Sequence, residues 1–393
     1  MRLLLLGCTG FVGRELVPAL LEANHQLTLV SRRLARGYEA ERADGRLKWL
    51  QLDPAKAASW QNPELVEAVS MSDAVVNLAG EPIAEKRWTT AHLKVLEDSR
   101  LETTRLLVDA MAASASPPGV LINASAIGFF GTSLTDKFME SSPAGADFLA
   151  SLCQRWEAAA SAVPDSVRQV SLRIGIVLAP DGGALGKMLP IFRIGFGGPI
   201  GSGKQWMSWI HRSDLCALVQ TALTDQAWSG VVNAVAPEPV SMAAFSKQLG
   251  RSLNRPSLLP VPGPVLQLLL GDGAKVVLEG QQVASERLDQ LGFSFRNSSH
   301  LFPRNTCYLT TVRFTGSLFY LSGLYQLNGC RWRFYNKVKR LISKHRNNHW
   351  KYFSSFILGS SVKLLTELHD IYSCGSQSGS NRRRWIRGAS PNL

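Results

Sequence analysis

Short apolar runs alternate with longer amphipathic stretches over the first 180 residues of the chain. The apolar runs predict buried parallel strands over residues 3–6, 26–30, 47–52, 74–78, 120–124 and 170–178. The amphipathic stretches predict helices over residues 11–23, 89–113 and 145–162. This order of elements is typical of an α/β fold in which a doubly wound parallel sheet carries helices on both faces.

A looser pattern begins near residue 180. Glycine and proline cluster over residues 182–203, and only shorter elements are indicated from there to about residue 296. Ligands bind at the carboxyl ends of the strands in open parallel sheets, so we expect this segment to form a small lobe that closes over those ends. The predicted domains are therefore a nucleotide-binding domain, 1–180, and a substrate lobe, 181–296.

A glycine turn follows the first strand, in the order Gly7-Cys8-Thr9-Gly10-Phe11-Val12-Gly13. We expect Gly7 to allow the tight turn, Gly10 to let the backbone approach a pyrophosphate, and Gly13 to let helix and strand pack closely. The helix that follows would present its N–H groups and positive dipole end to a phosphate. A plain strand-to-helix turn is the alternative, but the strand before, the helix after and the second strand near residue 30 favour a dinucleotide site.

The second predicted strand ends in Ser31, Arg32 and Arg33, where an NAD site typically has an acidic residue that binds the ribose 2′-hydroxyl. An arginine can instead bind a 2′-phosphate through two parallel hydrogen bonds, so the sequence favours NADP. A solvated basic turn is the alternative. Asp53 ends the third strand and is predicted either to accept a hydrogen bond from the adenine amino group or to close an ordinary turn.

The net charge of +13 is carried by one end of the chain. Residues 301–393 contain 15 Lys and Arg but 2 Asp and Glu, whereas residues 1–300 contain 28 of each kind. Alanine falls from 37 residues in the first 300 to one, Ala389, afterwards. Basic and aromatic side chains over residues 331–351 would suit a nucleic acid or an anionic membrane. The simultaneous change in charge, alanine content and motif favours a shifted reading frame or read-through over residues 297–393, a basic tail that we expect to be unstructured.

Six cysteines show no CxxC and no ligand-like spacing, so the sequence predicts neither a metal site nor a disulfide framework. The first strand begins at residue 2, so no signal peptide is expected, and no run of about 18 apolar residues predicts a membrane span. We therefore expect a cytoplasmic protein with a small-molecule substrate and with neither nucleic acid nor membrane as a partner. A homodimer is left open.

Several strings together resemble the extended short-chain dehydrogenase/reductase family, and more narrowly its atypical epimerase-like subfamily, once labelled cell-division-inhibitor-like. They are the glycine turn and residues 77–84 (NLAGEPIA), 87–89 (RWT), 125–131 (SAIGFFG), 156–157 (WE), 173–175 (RIG), 197–203 (GGPIGSG), 209–211 (WIH) and 236–239 (APEP). The resemblance covers residues 1–296, of which about 258–296 are similar to the domain of unknown function that closes such chains.

The resemblance implies a Rossmann-like fold that binds NADP, with oxidoreductase or sugar-nucleotide-epimerase-like activity on a small polar substrate. The cofactor contacts that we expect are Gly7, Thr9, Gly10, Phe11, Val12, Gly13, Ser31, Arg32, Asp53, Leu78, Ala79, Arg100 and Ile176. Arg100 can offset pyrophosphate charge, or it can be an exposed helix residue paired with Asp98 or Glu102.

Enzymes of this family use a tyrosine with a lysine four residues later, and a glutamate often lies four residues after the lysine. Counting back from Glu157 puts Cys153 at the lysine position and Leu149 at the tyrosine position, so the usual pair is missing. Ser125 matches the family's hydroxyl position and is the catalytic candidate, with a satisfied strand-end serine as the alternative.

Further candidates follow the fourth strand, at the expected mouth of the crevice. Lys86 or Glu81 can act as an acid or base, and Arg87 can bind a carboxylate or phosphate beside Trp88; a solvated loop is the alternative. His211 is placed on the substrate side, with an inert structural histidine as the favoured interpretation.

Two functions of different classes follow from these residues. An atypical NADP-dependent oxidoreductase or epimerase is favoured by the dense motifs around the crevice. A non-catalytic NADP-binding sensor or partner-binding protein is favoured by Leu149, which has no titratable proton, and by Cys153, whose neighbours in the sequence do not explain a depressed pKa.

Overall fold

The computed structural model of the chain describes residues 1–33 and 38–298. The strands are β1 (Arg2–Leu6), β2 (Gln26–Ser31), β3 (Leu47–Gln51), β4 (Ala74–Asn77), β5 (Val120–Ala126), β6 (Lys137–Phe138), β7 (Arg168–Ile174), β8 (Ile176–Ala179), β9 (Trp206–Met207), β10 (Trp209–His211), β11 (Gly230–Ala234), β12 (Val240–Ser241) and β13 (Gln282–Val283).

The α-helices are α1 (Gly13–Glu22), α2 (Glu39–Ala43), α3 (Pro63–Met71), α4 (Thr90–Asp98), α5 (Leu101–Ala113), α6 (Phe148–Ser161), α7 (Gly183–Arg193), α8 (Arg212–Thr224), α9 (Met242–Ser252), α10 (Gly263–Leu270), α11 (Lys275–Leu278) and α12 (Glu286–Gln290). Short 3-10 helices span Ala57–Gln61, Ile127–Phe130 and Gly271–Ala274. The predicted tail, apart from residues 297 and 298, lies outside the described residues.

Within the described part of the chain, seven strands form one sheet in the order β11-β7-β5-β4-β1-β2-β3, and all neighbouring strands are parallel. The chain leaves β1 toward β2 on one side and later returns to β4 on the other side, so the strand order reverses at β1. In sheets of this kind a crevice opens at the carboxyl ends of the strands where the order reverses. The doubly wound parallel sheet predicted from the sequence is confirmed.

Alternate residues of β1 belong to two separate cores. Leu3 and Leu5 pack with residues of α1 and α8 on one face of the sheet, while Leu4 and Leu6 pack with residues of α3 and α5 on the other. All four leucines are at most 1% exposed. Burial of each side chain contributes about 1.5–3 kcal/mol, which explains why a run of four leucines marks the central strand.

Two predicted elements are each divided in the structure. The helix predicted over residues 89–113 is two helices, α4 and α5, which meet at Ser99 and Arg100. The strand predicted over residues 170–178 is β7 and β8, with Gly175 between them. A Cβ on Gly175 would lie 2.7 Å from the carbonyl oxygen of Ser208, because β8 leaves the main sheet there and pairs with β10.

The sequence does not predict β11, which forms an edge of the main sheet beside β7. Its residues fall within 181–296, so part of the segment assigned to the lobe completes the sheet. The boundary at residue 180 stays a prediction. The remainder of the segment has a core of its own, in which residues of α7 and α9 such as Leu189, Phe192 and Phe245 pack together.

Asp214 in α8 anchors the last described residues. Its carboxylate is fully buried and accepts hydrogen bonds from the backbone N–H groups of Arg296 (2.8 Å) and Asn297 (3.0 Å) and from the side chain of Asn297 (3.1 Å). The packed part of the chain therefore continues past residue 296, where the sequence places the start of the tail.

Replacing Asp214 with alanine is expected to lower the free energy of unfolding by about 2–4 kcal/mol, because buried N–H donors lose a charged acceptor. Urea denaturation of the full chain measures this difference. Asp109→Ala is the control, since its carboxylate is 61% exposed and pairs with Arg105 on the surface, and a loss below about 1 kcal/mol is expected there. Equal losses in the two variants would contradict the anchoring role of Asp214.

Candidate cofactor and substrate site

The glycine turn joins β1 to α1 and touches the end of β4. Gly7 has a φ of +74°, and a Cβ there would lie 2.4 Å from the backbone nitrogen of Ala79. A Cβ on Gly13 would lie 1.7 Å from the carbonyl oxygen of Cys8. Both positions require glycine, the first for its conformation and the second for the close approach of helix and strand.

Gly10 lies in the same turn but has space around it. The protein atom nearest to a Cβ on Gly10 is the carbonyl oxygen of Gly7, at an ordinary contact distance of 3.6 Å. The fold therefore does not require glycine here, whereas a group that approaches the backbone from outside would. Val12 caps α1 without a side-chain hydrogen bond, so the positive end of the helix dipole lies at this turn. The turn thus fits a bound pyrophosphate.

Arg212, the first residue of α8, holds the turn from the other side. Its guanidinium binds Glu15 at 2.7 Å and Asp181 at 2.8 Å, and it donates to the carbonyl of Phe11 at 3.3 Å. The guanidinium also lies 4.8 Å from the ring centroid of Phe11, and that ring packs against Gly182 and Gly183. Phe11 is therefore fixed by protein contacts. Sequence analysis missed the role of Arg212, because no motif or spacing in the sequence indicates it.

Ser31 and Arg32 at the end of β2 behave differently from each other. The hydroxyl of Ser31 donates to the carbonyl of Arg33 at 2.7 Å and accepts from Trp49 Nε1 at 2.9 Å, so it orients the turn. The Arg32 side chain is 62% exposed and its guanidinium lies 3.3 Å from the carboxylate of Glu81.

Asp53 follows β3 on the same edge of the sheet. Its carboxylate accepts from the N–H of Ala55 at 3.2 Å, as in an ordinary turn. A contact of Asp53 with adenine stays a prediction.

Arg100 lies beside the loop of residues 78–89, which follows β4. The interpretation that Arg100 pairs with Asp98 or Glu102 is wrong, since those acids bind Lys94 and Arg105.

The half-buried guanidinium of Arg100 instead donates to the carbonyls of Leu96 at 3.1 Å and Glu81 at 3.0 Å, and it lies 5.3 Å from the ring of Trp156. Burial lowers the pKa of Arg100 from its ordinary value. Its hydrogen-bond partners are neutral carbonyls, and the charge of Glu81 opposes the effect of burial only in part. The side chain is therefore suited to an anion in the crevice.

A buried amide pair fixes the ends of β4 and β5. Asn77 Nδ2 donates to Asn123 Oδ1 at 2.7 Å and to Thr104 Oγ1 at 3.0 Å, and the same hydroxyl accepts from Trp156 Nε1 at 2.9 Å. Asn77 Oδ1 accepts from the N–H of Ala79 at 3.2 Å.

Two further residues expected to contact the cofactor are placed by backbone hydrogen bonds. The N–H of Leu78 donates to the carbonyl of Leu6 at 2.9 Å, and the N–H of Ile176 donates to the carbonyl of Ser208 at 2.8 Å. Both residues are half-buried. The backbone at the carboxyl edge of the sheet is thus held rigidly on several sides.

Ser125 belongs to a second buried network. Ser125 is 3% exposed, and its hydroxyl donates to Glu157 Oε1 at 2.6 Å. Glu157 forms a bidentate ion pair with Arg173, at 2.8 and 2.9 Å, and Arg173 lies 3.4 Å from the ring centroid of Phe129. This geometry matches the satisfied strand-end serine weighed above. Catalysis by Ser125 stays a prediction.

Leu149 and Cys153 lie one turn apart on α6 and face the 3-10 helix Ile127–Phe130. A Cβ on Gly128 would lie 3.4 Å from Leu149 and 3.9 Å from Cys153 Sγ. Burial, and to a smaller extent the charge of Glu157, raises the pKa of Cys153 to about 12. The thiol is therefore protonated at neutral pH, and neither position offers an acid or base to a substrate.

Two of the substrate-side candidates in residues 78–89, Arg87 and Trp88, contact the C-terminal segment. Arg87 donates to the carbonyl of Leu268 at 3.4 Å, and the N–H of Trp88 donates to the carbonyl of Leu270 at 3.2 Å. The Trp88 ring also packs edge-on against Phe148 at 5.5 Å. The loop is thus docked on α10 and is not simply solvated.

His211 ends β10 and caps α8. Its Nδ1 accepts from the N–H of Ser213 at 3.2 Å, and burial lowers its pKa from the ordinary value. A neutral, hydrogen-bonded imidazole is therefore expected at neutral pH. These contacts agree with the structural histidine favoured from the sequence.

In residues 1–33 and 38–298, side chains of His, Cys, Asp and Glu form no group of three or more that could hold a metal ion. No helix in these ranges has the length and apolar character that a membrane crossing requires.

Comparisons with known proteins identify two family models in the chain. The NAD dependent epimerase/dehydratase family matches residues 3–234, and a domain of unknown function, DUF1731, matches residues 261–299. The epimerase family protein SDR39U1 homolog, chloroplastic, of Arabidopsis thaliana is 44% identical over 292 residues, which are 74% of this chain and 82% of the plant protein. The human epimerase family protein SDR39U1 is 40% identical over 299 residues, which are 75% of this chain and 95% of the human protein.

A solved structure is similar as well. The crystal structure of human epimerase family protein SDR39U1 (isoform 2) with NADPH superposes with a TM-score of 0.68 at 37% identity, covering 76% of this chain and 96% of the human chain. The resemblance stated from the sequence is confirmed, including the C-terminal domain.

Two glycine substitutions are expected to separate folding from binding. Gly13→Ala should lower the free energy of unfolding by several kcal/mol or prevent folding, because its Cβ overlaps a carbonyl oxygen. Gly10→Ala should change the free energy of unfolding by less than about 1 kcal/mol but abolish dinucleotide binding. Urea denaturation and calorimetric titration with NADPH measure the two properties. A Gly10→Ala protein that binds normally would contradict the role of this position.

Proposed function

Because the chain belongs to the NAD dependent epimerase/dehydratase family, we propose that it binds NADP(H) across the carboxyl edge of the sheet, with the pyrophosphate at the glycine turn. The observation that carries this proposal is the space around Gly10 at the dipole end of α1, together with the half-buried guanidinium of Arg100, which is bound by carbonyls. The NADPH in the similar human structure supports it. Gly7, Gly10, Gly13 and Arg100 would hold the pyrophosphate.

Arg32 is the residue that we assign to the 2′-phosphate. It follows β2, where the ribose of a dinucleotide lies in this fold, and it presents an exposed guanidinium instead of the acid typical of NAD sites. Lys86 and Arg33 add positive charge on the same side of the sheet. NADP is therefore preferred over NAD.

The proposed reaction is oxidoreduction or epimerisation of a small polar substrate. When bound, the nicotinamide would exchange a hydride with the substrate. Within the described residues, the proton must come from a group other than the usual pair. Lys86 and Arg32 hold the pKa of Glu81 below its usual range, so Glu81 is a carboxylate at neutral pH and can accept a proton but not donate one. Lys86 is then the donor candidate on this loop.

A non-catalytic NADP sensor is the second candidate function. It is favoured by the apolar Leu149, by the high pKa of Cys153 and by the engagement of Ser125 with Glu157. Mixing the full chain with NADPH or NADP and a panel of aldehydes, ketones and nucleotide sugars distinguishes the two. NADPH absorbance reports oxidoreduction, and NMR spectra of the sugars report epimerisation, which consumes no net NADPH. Turnover of any member supports the enzyme; tight NADPH binding without turnover supports the sensor. A cytoplasmic location and a homodimer stay predictions from the sequence.

Replacing Arg32 with alanine is expected to weaken NADPH binding about 10- to 100-fold, since a charge-assisted contact with phosphate is lost, and to change NADH binding less than about threefold. Calorimetric titration measures both affinities. Arg105→Ala removes the same charge from an exposed site on α5 and serves as the control. Equal losses for the two cofactors would overturn the assignment of Arg32 to the 2′-phosphate.

A further inference from the structure

Glu81 lies between two cations at the mouth of the crevice. One carboxylate oxygen, Oε2, is 3.3 Å from Nη2 of Arg32, and the other, Oε1, is 2.8 Å from Nζ of Lys86. The Glu81 side chain is 12% exposed, whereas those of Arg32 and Lys86 are 62% and 64% exposed. The acid therefore belongs to the wall of the crevice, and the two long cationic side chains reach it from solvent.

The backbone of Glu81 is held on both sides. Its N–H donates to Ser99 Oγ at 3.0 Å, and its carbonyl accepts from Arg100 Nη2 at 3.0 Å. Ser99 and Arg100 form the junction between α4 and α5, which packs on the sheet. The backbone of Glu81 is thus held in place, so an Arg32 side chain that turns to a ligand breaks its ion pair with Glu81.

The ion pair between Arg32 and Glu81 crosses the position where the strand order reverses. Arg32 follows β2 and Glu81 follows β4, and these two strands are the neighbours of β1. The pair therefore spans the carboxyl end of β1, above the glycine turn. A dinucleotide bound in the crevice passes through this region with its adenosine half.

We propose that Glu81 is an internal competitor of the cofactor's 2′-phosphate for Arg32 and thereby sets how strongly the chain selects NADP over NAD. This inference rests on the proposed binding of NADP. A 2′-phosphate that takes the guanidinium of Arg32 replaces the Glu81 carboxylate as its partner. A cofactor with a plain 2′-hydroxyl brings no charge, so Arg32 stays on Glu81 when NAD binds.

Lys86 has the opposite effect in this arrangement. It is the second partner of Glu81, so it lowers the attraction that Glu81 exerts on Arg32 and neutralises a carboxylate that would repel the phosphate. Two cations share one acid here, and the surplus positive charge favours a dianion. The same loop contacts α10 through Arg87 and Trp88. Exchange of the Arg32 partner therefore also changes the charge of a loop that we expect on the substrate side.

The test is a calorimetric titration of full-length Glu81→Gln and Lys86→Met with 2′,5′-ADP, 5′-ADP, NADPH and NADH. Glu81→Gln should bind 2′,5′-ADP and NADPH about three- to tenfold more tightly, because Arg32 no longer has to leave a carboxylate. Lys86→Met should bind both about two- to fivefold more weakly. Affinities for 5′-ADP and NADH should change less than about twofold in either variant.

Glu85→Gln and Lys187→Met are the matched controls. They make the same charge changes in a neighbouring exposed pair, whose side-chain atoms lie 3.3 Å apart, and they should leave all four affinities within about twofold. Unchanged or weaker NADPH binding in a folded Glu81→Gln protein would overturn the proposal, and so would equal effects in the controls. If Glu81→Gln does not fold, an unchanged affinity in Lys86→Met overturns it. An unaltered chain that binds neither NADPH nor NADH would instead refute the proposed function itself.

Discussion

The contact between the glycine turn and its neighbours decides how the nucleotide edge of this protein is built. A carbon atom added to Gly13 would collide with the carbonyl of Cys8, and one added to Gly7 would collide with the backbone of Ala79. These two approaches bring α1 against β1 and bring the end of β4 against the turn. The dipole of α1 is thereby aimed at the point where the strand order reverses, which is where a crevice opens in sheets of this kind. The cofactor site depends on this close packing more than on any single charged residue.

Polar side chains below the crevice position the backbone through hydrogen bonds. Their donors and acceptors are therefore not free to react with a substrate. Asn77 and Asn123 bind each other across β4 and β5, and Glu157 holds both Ser125 and Arg173. Buried polar groups are costly unless every donor and acceptor is matched, so such networks are rigid once complete. A serine whose proton is held by a carboxylate is a weak proton donor to a substrate. The hydroxyl of Ser125 is therefore committed to the network that forms the floor of the crevice.

Much of the fold could be predicted because buried strands and helices have apolar residues at regular spacings in the local sequence. The run Leu3–Leu6 marks β1 through its alternation between two cores, and Gly7, Gly10 and Gly13 mark the turn. The division of the strand at Gly175 could not be predicted, because apolar residues continue on both sides while β8 changes its partner to β10. The partners of Arg100 could not be predicted either, because they are backbone carbonyls, which every residue has. Contacts such as Arg212 with Glu15 join residues about 200 positions apart, and no local pattern records them.

Two arginines at the crevice show how the surroundings of a charge decide its use. Arg173 is buried in a bidentate pair with Glu157, so its charge is cancelled and its free energy of desolvation is offset within the protein. Arg100 is bound by neutral carbonyls, and burial lowers its pKa although the charge of Glu81 acts in the opposite direction, so part of its desolvation cost is not offset within the protein. A protein that tolerates such a cost gains from it when an anion binds beside the same side chain, because the attraction is strong where water is excluded. The charge of Arg173 is therefore used within the protein, whereas the charge of Arg100 is suited to a ligand.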